Sequence, residues 1–284
     1  MTSARSTRPG VVDRLLRYPV KSMLGEEIPA ADVTERGLAH DRRLALVDKE
    51  TGRVASAKHP RVWHRLLTMT ATAGTSAVRI TTWAGEELCS TDPGVDDALS
   101  EIVGRPVVIT DTPPHEATLD RADPEDVLRR DGVGQPVGAH TGRIAVASPQ
   151  GTFFDFAPVH LMTTSTIARI AELAPHGDAQ AERYRPNLVI RTPHAPGFTE
   201  DDWLDRTLRI GPDLVLRVIA RTPRCAIPTL AHGSLPTDTT ALRVLAEHHR
   251  VTPMASVGAL PCAGVYAQVL RPGRIVLGDA VHWS

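Results

Sequence analysis

Short runs of alternating apolar and polar residues dominate the 284-residue chain and predict a protein rich in β-strands. Successive side chains of a strand point to opposite faces of its sheet, so this alternation is typical of half-buried strands. Prolines and glycines, 23 and 21 in number, separate the runs and indicate turns between them. The predicted strands are VVDRLLRYPV, RRLALVD, HRLLTMTAT, AVRITTW, RPVVIT, RIAVAS, NLVIRT, RTLRIG, LVLRVIA, VYAQVLRPG and RIVLGDAVHW.

Few segments have helical spacing. Three have an apolar stripe and suitable ends, and residues 124–130 form a shorter candidate. The three are DPGVDDALSEIVG at 92–104, TTSTIARIAELAP at 163–175 and DTTALRVLAEHHR at 238–250. The pattern therefore predicts a β-rich α+β fold, and closely spaced strands favour barrels or sandwiches. A polar stretch rich in Gly, Pro and Asp at 112–142 indicates a break in the chain.

Composition narrows the classes of function. The net charge of −1 gives no overall basic field for nucleic acid. Three cysteines without close spacing argue against a disulfide framework or a zinc ladder. The first ten residues have no apolar core of a secretory signal, and the apolar runs are shorter than the roughly 20 residues of a membrane span. We expect a soluble cytoplasmic protein without a membrane or nucleic-acid partner.

Two segments near the start of the chain carry candidate anion-binding groups. RYPVKSMLGEEI presents Lys21 and Ser22 after a strand, and a cation beside a hydroxyl suits a phosphate. A surface lysine and a turn serine would give the same pattern. GLAHDRRLALVD and RVASAKHPRV place Asp41, Arg42 and Lys58 at strand ends, where polar residues also occur without a ligand.

Two later segments have the same ambiguity. Thr163 and Ser165 stand at the start of a predicted helix, where backbone N–H groups attract phosphate, although simple capping explains them equally. ERYRPNLVI places Arg185 and Asn187 just before a strand. Arg185 suits either a bidentate phosphate contact or a structural ion pair.

The segment RTPRCAIPTL contains the cysteine of greatest interest. Cys225 follows Arg221 and Arg224, and nearby cations favour the thiolate, which binds soft metals or attacks electrophiles. No His/Asn arrangement for a cysteine hydrolase is legible. An inert buried cysteine remains the alternative, and the same interpretation applies to Cys89 and Cys262.

In combination, YPVKSMLGE, RYRPNLVI, PRCAIPT and RPGRIVLGDAV resemble the MOSC family (molybdenum cofactor sulfurase C-terminal-like) with its N-terminal β-barrel domain attached. The resemblance spans roughly residues 11–283 and is closest to YcbX-like proteins and the amidoxime-reducing component. It implies a MOSC N-terminal β-barrel domain at 9–117. It also implies a MOSC domain at 118–284, a second barrel of the pyruvate-kinase-barrel type with a few helices.

The resemblance also implies a function. It suggests a molybdenum–molybdopterin cofactor and an oxidoreductase that reduces N-hydroxylated small molecules with electrons from a separate ferredoxin- or flavin-type protein. Cys225 would be the catalytic metal ligand. The cofactor-binding residues it implies are Lys21, Ser22, Lys58, Thr163, Ser165, Arg185, Asn187 and Thr229.

Two residues depart from the family's pattern. Pro228 stands where many relatives have a second hydroxyl, and His194 stands where amidoxime reducers have an acid. A pyridoxal phosphate annotation would be inherited from the aminotransferase-like half of the full sulfurase, for which we see no counterpart. Two other functions stay open: a sulfur carrier or cofactor-delivery protein with a Cys225 persulfide, and a non-catalytic binding module.

Overall fold

The computed structural model describes residues 9–129, 138–255 and 257–284. The strands in these ranges are β1 Gly10–Arg17, β2 Glu26–Glu27, β3 Ala30–Thr34, β4 Gly37–Leu38, β5 Ala45–Asp48, β6 Thr70–Ala73, β7 Val78–Thr81, β8 Glu87–Cys89, β9 Val107–Thr110, β10 Thr118–Ala122, β11 Ala139–Arg143, β12 Val159–Thr163, β13 Leu188–Arg191, β14 Thr207–Ile210, β15 Leu214–Pro223, β16 Arg250–Val251, β17 Leu260–Arg271, β18 Gly273–Val276 and β19 Ala280–Trp283.

The helices are fewer and mostly short. They are α1 Pro60–Trp63, α2 Val95–Val103, α3 Pro124–Arg129, α4 Thr164–Leu173, α5 Ala181–Tyr184 and α6 Thr240–His248. Single 3-10 turns occupy His64–Thr68, Thr199–Trp203 and Ile227–Thr229. Within the described ranges, no helix has the length and apolar character needed to cross a bilayer.

A closed barrel of seven strands forms the larger core. Its strands follow the order β12, β13, β1, β19, β14, β15 and β17, and β17 closes the ring by pairing with β12. Alternate residues of β15, from Leu214 to Ala220, are fully buried, as expected for a strand with one face on a core. The predicted β-rich α+β fold with a barrel is confirmed.

The segment from Val20 to Val107 forms a second core. Sheets β5–β9 and β6–β7–β8 pack with α1 and α2, and an isolated bridge joins Leu24 to Thr70. Trp63, Leu66 and Leu99 are among the buried residues there. Strand β1 belongs to the large barrel although it precedes this core in the chain. The proposed boundary between residues 117 and 118 stays a prediction.

The hydrophobic pattern located most elements but not all of them. Helices α2, α3, α4 and α6 lie inside the predicted segments. HRLLTMTAT was predicted as one strand, but its first half is a 3-10 turn that buries Leu66 and Leu67. RIAVAS contributes only Arg143 to a strand, β11. The predicted break at 112–142 contains β10, α3 and all but the last residue of β11, which pairs with β10; residues 130–137 lie outside the described ranges.

Helix α4 begins at a buried carboxylate. Glu200 is 1% exposed, and its Oε2 accepts hydrogen bonds of 2.6 Å from the hydroxyls of both Thr163 and Thr166. Thr163 in turn caps the helix by accepting from the Thr166 backbone N–H. Burial raises the pKa of Glu200 to about 6, and the hydrogen bonds from the two threonines only partly offset that effect.

This raised pKa predicts a pH-dependent contribution to stability. Because the folded pKa of Glu200 exceeds its unfolded value of 4.5, its stabilising contribution is complete below pH 4.5 and is lost as pH rises through 6. We expect the unfolding free energy of wild type, relative to Glu200→Gln, to fall by about 2 kcal/mol across that interval. Urea unfolding at several pH values measures this difference. Glu172→Gln, an exposed change on α4, should show no such trend. Parallel profiles for wild type and Glu200→Gln would contradict the assignment.

Candidate functional site

A cavity with an empty volume of about 660 Å³, including its open mouth, lies where the barrel meets the N-terminal core. The loop after β15, β12 and the segment before β13 form one side, and the segments after β1 and β4 form the other. Its lining residues are Lys21, Ser22, Arg42, Lys58, Phe154, Asp155, Ala157, His160, Tyr184, Arg185, Asn187, Pro223, Arg224, Cys225, Ile227 and Tyr266.

Six of the predicted site residues meet at this cavity although they come from four separate segments. They are Lys21, Ser22, Lys58, Arg185, Asn187 and Cys225. The first two follow β1, in the segment that turns at Gly25. A Cβ at Gly25 would lie 2.1 Å from the Arg17 carbonyl oxygen, so only glycine fits this turn. The position of Lys21 and Ser22 therefore depends on a close backbone approach.

The other predicted residues lie outside the cavity lining. Thr163 and Ser165 are buried at the start of α4, where Ser165 bonds to the Thr192 hydroxyl at 2.6 Å and donates to the His194 carbonyl at 3.0 Å. Thr229 is fully buried and donates to the Ala226 carbonyl at 2.8 Å. The hydroxyls of these three residues are thus engaged within the protein, and their assignment to the cofactor stays a prediction.

One carboxylate holds two lysines at the cavity. The Lys21 Nζ lies 2.7 Å from one oxygen of Asp155, and the Lys58 Nζ lies 3.0 Å from the other. Lys21 also donates to the Phe153 carbonyl at 2.7 Å. Both lysines are buried, whereas the Asp155 side chain is 32% exposed. The sequence reasoning missed Asp155, although it is the lone acid within the apolar run TFFDFAP.

Burial and charge compete at these lysines. Burial lowers the pKa of Lys21 to about 8; Asp155 opposes that shift, and the neighbouring Lys58 adds to it. Asp155 is affected in the opposite sense. Burial would raise its pKa, but Lys21 and Lys58 hold it well below the usual range. Asp155 is therefore ionised at neutral pH, and Lys21 is a cation whose charge is lost just above neutrality.

Two arginines in the cavity retain unpartnered N–H groups. Arg185 is 8% exposed; its guanidinium stacks on the Tyr18 ring at 4.2 Å, and its Nη1 has no hydrogen-bond partner among the described residues. Arg224 donates to the Tyr184 carbonyl through Nη2 at 2.7 Å, while its buried Nε is also unpartnered. Burial lowers the pKa of Arg185 to about 10, so it still carries a charge at neutral pH.

Asn187 has a structural role at the same place. Its amide donates to Asp41 at 2.9 Å and its oxygen accepts from the Arg42 Nη1 at 3.2 Å and from the His160 backbone N–H at 3.2 Å. Arg42 lies 4.8 Å from the Tyr18 ring centroid. Sequence reasoning treated Asp41 and Arg42 as polar strand ends. In the structure they connect the N-terminal core to the strand that follows Asn187.

Three lining residues have a left-handed backbone without being glycine. Ser22, Arg42 and Arg185 have φ values of 66°, 46° and 56°. This region costs a non-glycine residue conformational energy and often occurs where a structure fixes functional side chains. The strain at this cavity supports its selection as the candidate site.

The cysteine of the candidate site stands at the cavity wall with intermediate exposure. The following loop is fixed by Arg183, whose guanidinium donates to the carbonyls of Pro228, Leu230 and Pro236. Arg224 also lines the cavity, but Arg221 is bound to Asp201 at 2.7 Å and lies outside the lining. The cationic neighbour of Cys225 in the cavity is therefore Arg224. No cluster of three or more metal-ligating side chains occurs in the described part of the chain.

The cavity lining contains five cationic side chains and one carboxylate, whereas the net charge of the whole chain is −1. This imbalance, together with the unpartnered guanidinium N–H groups, favours an anionic ligand. The fold and site define a barrel protein with a positively charged cavity beside a partly exposed thiol.

Comparison with known proteins assigns the family. The model of the MOSC domain matches residues 148–282, and that of the MOSC N-terminal beta barrel domain matches residues 9–98. The chain is therefore a MOSC domain protein with a MOSC N-terminal β-barrel domain, as the resemblance predicted. This family is associated with molybdenum cofactor binding and molybdenum cofactor-related enzymes.

Solved structures give weaker similarity. The YuaD protein from Bacillus subtilis aligns over 96% of this chain and 93% of its own, with 11% identity and a TM-score of 0.45. YiiM from Geobacillus stearothermophilus aligns over 45% of this chain and 54% of its own, with 18% identity and a TM-score of 0.31. No curated protein is significantly similar to the chain.

The shared carboxylate gives a first test of the site. We expect Asp155→Asn to lower the unfolding free energy by about 2 kcal/mol, because it leaves two buried ammonium groups without their counter-ion. The partial exposure of Asp155 keeps this cost below that of breaking a fully buried pair. Denaturant unfolding measures it. Asp120→Asn, which breaks the more exposed pair with Arg53, should cost less than 1 kcal/mol. An equal cost for both variants would contradict the role given to Asp155.

Proposed function

We propose that this protein is a molybdenum-cofactor oxidoreductase that reduces N-hydroxylated small molecules with electrons from a separate ferredoxin- or flavin-type protein. The observation that carries the proposal is the meeting of Cys225, Lys21, Lys58 and Arg185 at one cavity. These residues lie far apart in the chain, yet the fold brings a thiol and several cations around one cavity.

The residues of the cavity fit a phosphate-bearing cofactor. A phosphate accepts several charge-assisted hydrogen bonds, and the unpartnered Nε–H of Arg224 is a donor of that kind, while Arg185 adds its charge. The ammonium groups of Lys21 and Lys58 would add charge at the same end of the cavity. Cys225 would supply the one soft protein ligand that a molybdenum atom needs beside the sulfurs of its own cofactor. When bound, such a cofactor supplies two-electron chemistry at the metal.

The contribution of the chain itself is positioning and charge. Arg183 holds the loop that follows Cys225, which limits the positions that the thiol can occupy. Asn187 and Arg42 keep the N-terminal core in contact with the barrel, which maintains the shape of the cavity. The cations would retain the ligand's anionic end.

A sulfur carrier is the second candidate function. The partial exposure of Cys225 favours it, because a transient persulfide must be reached by a donor and an acceptor. In that case Cys225 would carry sulfur beside a cavity that holds the anionic acceptor. Metal content and labile sulfur separate the two candidates.

The first prediction of this proposal concerns metal content. Protein produced in a host that makes the cofactor should contain close to one molybdenum per chain by elemental analysis. Cys225→Ala should lose most of it, because the soft protein ligand is removed. Cys89→Ala, which lies outside the cavity, should retain wild-type content. If molybdenum is absent but Cys225 carries cyanide-labile sulfur, the sulfur carrier is favoured. If molybdenum and labile sulfur are both absent, both candidate functions are contradicted.

The second prediction concerns charge and uses sulfate as a simple anion. Since the pKa of Lys21 is lowered to about 8, its ammonium is present at pH 7 and is lost by pH 9. We expect sulfate affinity of the cofactor-free full-length protein to fall about tenfold between these values, as one charge-assisted contact is lost. Calorimetric titration measures it.

Two variants control the second prediction. Lys21→Arg keeps its charge at both pH values, so its sulfate affinity should change much less. Lys21→Ala should bind sulfate weakly throughout and should also retain less cofactor. Full cofactor occupancy in Lys21→Ala would rule out the phosphate assignment.

A further inference from the structure

A second groove adjoins the cavity across Arg185. It has an empty volume of about 1160 Å³, open solvent included, and runs between β1, the segment after Leu24, α5 and the loop that contains His232. Arg185 lines both spaces, whereas Cys225 and the two lysines line only the first. The proposed function uses nothing else in this groove.

Residues of this groove contribute buried polar atoms without partners, as residues of the first cavity also do. In the described part of the chain, eight side-chain N or O atoms are buried without a hydrogen-bond partner. Three belong to residues that line this groove: Tyr18 Oη, Arg185 Nη1 and His232 Nε2. The three residues are 3%, 8% and 4% exposed. Such groups are costly to leave unpaired in a folded protein, so their convergence on one groove points to a bound molecule.

The hydrogen-bonding character of His232 can be assigned. Its Nδ1 lies 2.9 Å from the Leu230 carbonyl oxygen, which can only accept, so Nδ1 carries the proton. Burial lowers the pKa of His232 to about 4, and the ring is neutral at pH 7. The Nε2 atom is therefore an acceptor. Reciprocal backbone hydrogen bonds of 2.9 Å between His232 and Leu235 fix the loop that presents it.

The remaining wall restricts the charge of a ligand. Glu26, Glu27 and Glu182 outnumber Arg14 and Arg185 in the lining by one charge, which disfavours a carboxylate ligand. Arg14 pairs with Glu27 and Glu182, and Arg17 pairs with Glu26. Arg185 keeps its positive charge at neutral pH and disfavours a cation. The apolar side chains Leu16, Leu24 and Leu235 complete the wall.

We propose that this groove binds a neutral amide-like small molecule with an apolar body. An N–H of the ligand would donate to His232 Nε2, and its oxygen would accept from Arg185 Nη1. The Tyr18 hydroxyl can serve as donor or acceptor for either group. A carboxylate offers no donor to the histidine, and an amidinium offers no acceptor to the arginine, whereas a neutral amide offers both. The site requires no molybdenum.

Three ligands of nearly the same shape test this charge selection: benzamide, benzoate and benzamidine. Titration of the full-length protein at pH 7, followed by calorimetry or ligand-observed NMR, should show binding of benzamide and at least roughly tenfold weaker binding of the other two. One unpaired buried group costs about 1–3 kcal/mol, which sets this ratio. Undetectable benzamide binding, or tighter binding of benzoate, would overturn the proposal and leave only ordered water as the partner of these atoms.

Single substitutions at His232 and Tyr18 test whether benzamide binds in this groove. His232→Leu should weaken benzamide binding about tenfold, and His232→Gln, which retains an acceptor oxygen, should recover part of the loss. Tyr18→Phe removes only the hydroxyl and should weaken binding severalfold, which keeps the test valid if the histidine variants unfold. His248→Gln, at the exposed end of α6, serves as the matched control. Unchanged affinity in folded His232→Leu and in Tyr18→Phe would contradict the assigned site.

Discussion

The ion pairs of Asp155 with Lys21 and Lys58 are the interaction on which the site depends. The carboxylate lies between β11 and β12 in the chain, whereas the lysines precede and follow β5, so the pairs join the N-terminal core to the segment that leads into the barrel. Without this carboxylate, two buried cations would lie close together without a counter-ion. The same contacts that assemble the two parts of the chain therefore also create the concentration of positive charge that a ligand would meet.

Asn187 complements this arrangement with uncharged contacts. Its amide connects Asp41 and Arg42 to the segment before β13, and Arg185, two residues earlier, stacks on Tyr18. Charge, amide and aromatic contacts thus converge on the junction between β1 and β13. Because Arg185 lines both the cavity and the neighbouring groove, a ligand in either space would meet the same guanidinium.

The sequence allowed the fold class, the family and the main helices to be predicted, because alternation and helical spacing are local signals. It also identified six residues that meet at the cavity. It could not identify Asp155, whose significance comes only from two lysines far away in the chain. It also could not separate Thr163 and Ser165 from the cavity residues, since a hydroxyl at a helix start suits a cap and a ligand equally. The sequence also could not identify the groove around His232, because no local pattern shows which polar side chains are buried there.

The position of β1 in the barrel has a consequence for folding. Gly10 pairs with Val281, and the same strand pairs with β13. During synthesis the seven-stranded ring cannot close until β19 has left the ribosome, although the N-terminal core can collapse earlier from nearer segments. Contacts of such long sequence separation slow folding and leave strand edges unpaired for longer. The barrel end of the cavity should thus be the last part of the molecule to form, and the part most exposed to misassembly before it does.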